Sequence, residues 1–311
     1  MRLVFLGTPQ FAVPTLDALV SAGHEVLAVI TQPDRPKGRG RQLAESPVKQ
    51  AALRLHLPVF QPERIRRPEA VEHLRSLNAE IGVIVGYGQI IPQNVLDLAP
   101  GGFINVHASL LPKYRGAAPI QWAIVKGEVR TGVTTMKIDA GLDTGDILLK
   151  AETPIGPEET ASELSQRLAQ IGAGLLVETL ERLGQGGLVA QKQNSAEATY
   201  APILKKEDGL IDWRLPAKAV FGRIRGFEPW PGACTRFRGQ TLHIWRARPV
   251  EASLEPGRVQ RRKRELIAGC GQSTALELIE VQPEGRARMS GEAFANGQRL
   301  SDTDSFGEGE N

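Results

Sequence analysis

Residues 1–31 read MRLVFLGTPQFAVPTLDALVSAGHEVLAVIT: an apolar run, a turn, an amphipathic stretch and a second apolar run. Leu3–Gly7 and Val26–Thr31 are short and rich in Val, Ile, Leu and Phe, as expected for strands buried in a parallel sheet. Pro14–Ala22 reads as the intervening helix, with proline near its start, where a missing N–H is harmless. The same alternation continues outward. Ile81–Gly86 and Phe103–His107 are further expected strands, and Pro47–Leu57, Pro68–Asn78 and Ala117–Lys126 further helices, with Ser46 placed to cap the first of these. Strand–helix alternation of this kind predicts an α/β fold built on a mostly parallel sheet with right-handed crossovers. Val133–Ile138 and Ile147–Lys150, separated by the turn-rich AGLDTGD, read as a strand pair. Glu158–Leu183 reads as a long helix, with Thr160–Glu163 as a capping box.

Gly184–Lys206 is polar and aperiodic and reads as a linker. Beyond it, Cys234–Arg238, Leu242–Arg246, Leu266–Ala268 and Ala275–Val281 are short strand-like runs divided by Gly or Pro, which predict a small β-barrel. The expected boundaries are therefore 1–189 for an α/β domain, 190–207 for a linker and 208–300 for a β-rich domain. The last eleven residues, SDTDSFGEGEN, are acidic and Gly-rich and are expected to be disordered.

The net charge of +3 is unevenly spread. Residues 1–207 hold 22 Lys and Arg against 21 Asp and Glu, residues 208–300 hold 16 against 10, and the tail holds none against 4. The basic C-terminal third is where a nucleic-acid partner is expected. No run of eighteen apolar residues is present, so no membrane span is expected. The chain enters a strand directly, without the features of a signal peptide, and its two cysteines have no ligand spacing; both point to a cytoplasmic protein. No long apolar surface pattern asks for a second copy, so a monomer is expected.

Gly7-Thr8-Pro9 follows the first strand but lacks the three glycines of a dinucleotide site. The densest signal is Phe103-Ile-Asn-Val-His-Ala-Ser-Leu-Leu-Pro-Lys-Tyr-Arg-Gly116. Asn105 and His107 alternate onto one face of a strand. An amide donor beside an imidazole can hold a negatively charged oxygen. The stretch Met136–Ile147 adds three carboxylates, Asp139, Asp143 and Asp146, any of which could accept a proton from or through His107. Gly141 and Gly145 permit a sharp turn or a close approach to a ligand. Spacing does not choose among the three acids.

The N-x-H followed by SLLPKYRGAAPIQWAI and then GLDTGDI resembles the folate-dependent formyltransferase family. The resemblance implies a Rossmann-like sheet, an OB-like β-barrel as second domain, and a catalytic trio of Asn105, His107 and Asp143. It also implies 10-formyltetrahydrofolate as co-substrate, without a metal, bound by Gly86, Tyr87, Gly88, Gln89, Ile90, Ile91, Ser109, Leu110, Leu111, Pro112 and Asp139. Leu111–Pro112 is a candidate cis bond.

Several branches of the family differ in the acceptor amine. TQPDRPKGRGRQL (31–43), with Arg35, Lys37, Arg39 and Arg41, resembles the inserted loop of the branch that formylates the α-amino group of methionyl-initiator tRNA, and Arg39 is the position expected to matter most. GTPQFAVPTL, SPVKQAA and the FEPWPG motif at 227–232 resemble the same branch. Arg261, Arg262, Lys263 and Arg264 are expected phosphate contacts, with Arg286 and Arg288 as further candidates.

Overall fold

A computed structural model describes residues 1–37, 42–301 and 303–307. Seven strands form the main sheet: β1 (Arg2–Gly7), β2 (Glu25–Ile30), β3 (Val59–Phe60), β4 (Ile81–Val85), β5 (Phe103–His107), β6 (Arg130–Lys137) and β7 (Ile147–Pro154). Their order is β7-β6-β5-β4-β1-β2-β3. The five strands from β5 to β3 are parallel, and β6 and β7 are antiparallel additions at the other edge.

Helices on both faces explain the apolar strands. Val4, Leu6, Ala28 and Ile30 face Val71 and Leu74 of the helix Pro68–Ser76 in one core cluster. The long helix Ala161–Gly184 lies against β5 and β6, where Gly172 comes so close that an added Cβ would stand 2.8 Å from Val106 Cγ1. Alternation along β5 then sends Asn105 and His107 to the face opposite that helix. The expected caps are present: Ser46 Oγ accepts from Lys49 N at 3.0 Å, and Thr160 and Glu163 bond reciprocally at 2.8 and 3.3 Å.

The last division between compact units falls between residues 200 and 201, inside the expected 190–207 stretch, but two earlier segments cluster with the C-terminal part. One compact unit comprises residues 1–116, 130–154 and 165–200, and the other comprises 117–129, 155–164 and 201 onward. Within the second unit, five antiparallel strands run in the order β8 (Cys234–Phe237), β9 (Gln240–Val250), β12 (Thr274–Pro283), β11 (Glu265–Cys270) and β10 (Val259–Arg262), as a curled half-barrel. Two helices, Ala217–Gly226 and Gly291–Gln298, accompany it.

Neither helix was expected; the first contains Gly222 and Gly226, which weaken helix propensity. Packing explains both glycines. The helix Pro119–Val125 crosses so closely that an added Cβ would stand 3.2 Å from Ile124 O at Gly222 and 2.9 Å from Gln121 O at Gly226.

The expectation of a disordered tail from residue 301 is corrected for Ser301 and residues 303–307. Phe306 is buried and stacks on Trp213 with centroids 5.2 Å apart. Arg238 clamps the Asp304 carboxylate with two hydrogen bonds, of 2.9 and 2.8 Å. Composition describes the average of the tail, whereas one Phe and one Asp with partners suffice to dock it.

Candidate active site

β5 is flanked by β4 and β6, with Asn105 beside Ile84 and Met136. The Asn105 amide is half-buried and makes no side-chain hydrogen bond among the described residues. His107 is buried. Its Nε2–H donates to Tyr114 O at 3.0 Å, and its Nδ1 faces Asp143 Oδ2 at 3.7 Å. That second separation is slightly longer than a hydrogen bond, and a movement of under ~1 Å closes it.

The turn between β6 and β7 chooses among its three acids. Asp139 is spent on its own turn, accepting from Gly141 N at 3.0 Å and Thr144 Oγ1 at 2.7 Å. Asp146 offers its carbonyl to Lys137 N. Asp143 alone of the three reaches His107, from a left-handed backbone conformation with φ +52°. The glycines serve the turn itself. A Cβ on Gly145 would lie 1.8 Å from Lys137 O, so only glycine lets the backbone pass there.

The turn leaves β6 beside Phe103, where Ile138 N donates to Phe103 O, at the end of β5 remote from His107. Tertiary bonds therefore set where Asp143 stands. Its Oδ2 accepts from Gly116 N at 2.8 Å. Its carbonyl and that of Gly145 both accept from Gln193 Nε2, at 2.8 and 2.7 Å. Gln193 Oε1 in turn accepts from the buried Arg115, from Nη2 at 2.8 Å and Nε at 3.2 Å. Gln193 was hidden in the stretch read as a linker. That stretch is docked: Gln191 pairs with Ile147 through two backbone bonds, and Thr199 receives Tyr114 N on its hydroxyl and Arg115 N on its carbonyl. A lone Gln in an aperiodic segment gives no signal in sequence.

Neighbouring strand ends bring together the two loops expected to hold a co-substrate. Gly86–Ile91 follows β4 and Ala108–Gly116 follows β5. Gly86 and Gly88 have φ of +58° and +85°, a turn that β-carbons disfavour. Tyr87 O accepts from Thr8 Oγ1 at 3.0 Å and Gln32 Nε2 at 3.1 Å, while the Tyr87 ring is buried and burial pushes its hydroxyl up to about 12. Gln89 Oε1 is held by Ile65 N at 2.9 Å, and the next residue, Ile90, is 93% exposed. Ser109 and Leu111 are buried; Ser109 Oγ donates to Lys113 O, and Thr134 Oγ1 bridges Ser109 O and Leu111 N. The Leu111–Pro112 peptide is cis. With Tyr87, Ser109 and Leu111 enclosed and the Gln89 amide engaged by Ile65 N, Glu63 O and Gln32 Oε1, these loops offer backbone groups, the Leu110 and Pro112 side chains, and the bare apolar surface of Ile90. That combination fits a flat heteroaromatic group carrying ring donors and acceptors.

The basic segments fall in different units. Arg35 is exposed and lies 4.0 Å from Glu63. Its hairpin, Arg35–Lys37 with Gln42–Ala44, is rooted at Asp34, whose carboxyl is held below the usual range by a hydrogen bond from Lys49 and a second from Gln61. The Lys37 side chain, Arg39 and Arg41 lie outside the described residues. In the second unit, Arg261 and Arg262 end β10 and Lys263 and Arg264 form the turn into β11, all four exposed, with Lys263 in the left-handed region and Arg264 3.8 Å from Glu292. Arg288 stacks over Trp245, 4.1 Å from its ring centre.

Residues 1–180 match the formyl transferase family model, and residues 203–299 match the formyl transferase C-terminal domain. The chain is 66% identical over 311 residues to the methionyl-tRNA formyltransferase of Solibacter usitatus, covering 99% of each. It is 59% identical over 308 residues to that of Koribacter versatilis, again covering 99% of each. Among solved structures, an N-formyltransferase from Helicobacter canadensis, in complex with folinic acid and dTDP-3-aminofucose, superimposes with a TM-score of 0.69 at 19% identity, covering 91% of this chain and 99% of that one. A glycinamide ribonucleotide transformylase from Symbiobacterium toebii gives a TM-score of 0.52 at 20% identity, covering 62% and 94%. At these identities the two structures speak for the fold.

Proposed function

The chain belongs to the formyl transferase family, and on that premise we propose that it transfers a formyl group from 10-formyltetrahydrofolate to the α-amino group of methionyl-initiator tRNA. The observation that carries this reading is the placement of Asp143 against His107, with the unbonded Asn105 amide on the same face of β5. Relatives of 59–66% identity named for that reaction support the choice of acceptor.

The co-substrate supplies the formyl carbon. In the reaction a carbon–nitrogen bond forms to the amine, the bond to the folate nitrogen breaks, and one proton passes from the amine to that nitrogen. The protein's part is polar positioning. Asn105 Nδ2–H points a donor at the formyl oxygen as negative charge gathers there, and the His107 imidazole lies beside it with its ring nitrogens turned to Tyr114 O and Asp143. Asp143 accepts the amine's proton, directly or through water, and orients the His107 ring. Tyr114 O holds the other ring nitrogen, so the imidazole cannot turn away from Asp143. Gly86–Ile91, Ser109–Pro112 and Asp139 form the folate site, largely through backbone groups. Arg35, Lys37, Arg39 and Arg41 hold the acceptor end, and Arg261, Arg262, Lys263 and Arg264 bind phosphates further along the tRNA. The enzyme works as a cytoplasmic monomer; no described helix is long and apolar enough to cross a membrane.

The test is a competition among acceptors. Purified protein is supplied with 10-formyltetrahydrofolate and either methionyl-tRNA, free methionine or a nucleotide-linked amino sugar. Formylation of methionyl-tRNA alone supports the reading; turnover of the amino sugar with none of the tRNA overturns it.

A further inference from the structure

Three consecutive residues hold the proposed catalytic pair from one side. Tyr114 O takes His107 Nε2–H, Arg115 reaches Gln193, and Gly116 N donates to Asp143 Oδ2. Arg115 is 2% exposed, and the hydrogen bonds found for its guanidinium run to an amide oxygen, not a carboxylate. Enclosing a cation in this way is costly and calls for a return elsewhere. The return lies one bond further on. With its oxygen taken by Arg115, the Gln193 amide has a single orientation, and its two N–H groups point at the carbonyls of Asp143 and Gly145. These carbonyls belong to a turn that holds a non-glycine residue at φ +52° and leaves its sheet at the end of β5 remote from His107. A turn so strained and so far from its roots needs an outside anchor.

We infer that Gln193, oriented by Arg115, is a positioning residue that fixes Asp143 against His107. Gln193, alone among its exposed neighbours Gln191 and Lys192, is thereby tied to the active-site machinery. This rests on the proposed role of Asp143. Gln193 touches no reacting atom. It sets the distance and angle at which the Asp143 carboxylate meets the imidazole, and an error of about 1 Å there can cost on the order of 100-fold in rate.

Substitution to Glu separates this role from plain support. Gln193→Glu is isosteric and gives Arg115 a carboxylate partner, so the fold keeps its brace. It also replaces the two donated hydrogen bonds with an acceptor facing two carbonyl oxygens, which pushes the turn away. The expected result is a thermal midpoint close to that of the parent protein, KM values for folate and tRNA within about threefold, and kcat down roughly 10- to 100-fold. Gln193→Ala shows the same fall in kcat with some loss of stability. Lys192→Ala, beside it on the exposed side, keeps full activity. In an Asp143→Asn background, Gln193→Glu adds little further loss, since its effect runs through that residue. Parent-like kcat in both Gln193 variants overturns the inference, as does a Gln193→Glu loss that multiplies in full on the Asp143→Asn background. Parent protein inactive on every amine acceptor overturns the proposed function instead, and the two failures are distinct.

Discussion

Asp143 Oδ2 stands 3.7 Å from His107 Nδ1 while receiving Gly116 N–H at 2.8 Å, so one carboxylate oxygen faces both the imidazole and a fixed backbone donor. The Gly116 bond anchors that oxygen without neutralising it. The aspartate can thus be held in place and still serve as a proton acceptor.

The trio acts as a unit. Replacing Asn105 by Ala removes a donor aimed at developing charge, and replacing His107 by Ala removes the ring against which Asp143 is set; each is expected to lower kcat by roughly 100- to 1,000-fold. Binding of methionyl-tRNA, followed by filter retention, stays within about twofold, because phosphate contacts supply most of the affinity. A parallel loss of tRNA binding would place these side chains at the RNA and not at the reacting carbon.

Gly145→Ala tests the close passage of the turn over β6. The new Cβ would meet Lys137 O at 1.8 Å, an unyielding backbone atom. The turn must move, taking Asp143 with it. The expectation is a fall in kcat of about 100-fold with a smaller change in melting temperature. Full activity would show that the turn can pass elsewhere and still deliver Asp143.

The docked tail gives a pH-dependent signature. Hydrogen bonding to Arg238 holds the Asp304 carboxyl below its ordinary value. A lowered folded-state value stabilises the protein above the unfolded value of about 3.9, and that contribution fades as pH falls through the lower folded value. Asp304→Asn should therefore melt earlier than the parent at pH 7, with the gap shrinking below about pH 4. A gap that is constant with pH would mean that the charge of Asp304 plays no part.

Charge on the β10–β11 turn is expected to act by a different route. Changing Arg261, Arg262 and Arg264 together to Ala should raise the tRNA KM and leave the folate KM alone. The salt slope of binding should fall by roughly one for each phosphate that is no longer neutralised. Arg39→Ala should instead affect the acceptor end, through tRNA KM or kcat, again without touching folate. An equal loss of folate binding in either variant would relocate that segment to the folate site.

The parallel core was legible because its residues obey local rules. Apolar runs such as IGVIV admit burial on both faces, and Ser46 and Thr160 announced helix starts by the chemistry of their caps. Asn105 and His107 were legible by alternation along β5. What spacing could not choose was the acid, which only the family resemblance named. Asp139 is held by local donors, whereas Asp143 is placed by donors from Gly116 and from Gln193, fifty residues further along. The second unit was harder still. The helix holding Gly222 and Gly226 depends on the close approach of the helix Pro119–Val125, and Phe306 owes its place to Trp213, both far away along the chain.

The central claim is tested most directly by a single-turnover measurement. Excess protein, loaded with 10-formyltetrahydrofolate, is mixed with methionyl-initiator tRNA, and formation of N-formylmethionyl-tRNA is followed in quenched samples for the parent chain and Asp143→Asn side by side. The predicted result is rapid formylation by the parent and a rate at least about 100-fold lower for the variant, with both binding the tRNA alike. Equal rates in the two proteins, or no formylated tRNA from the parent, would contradict the account.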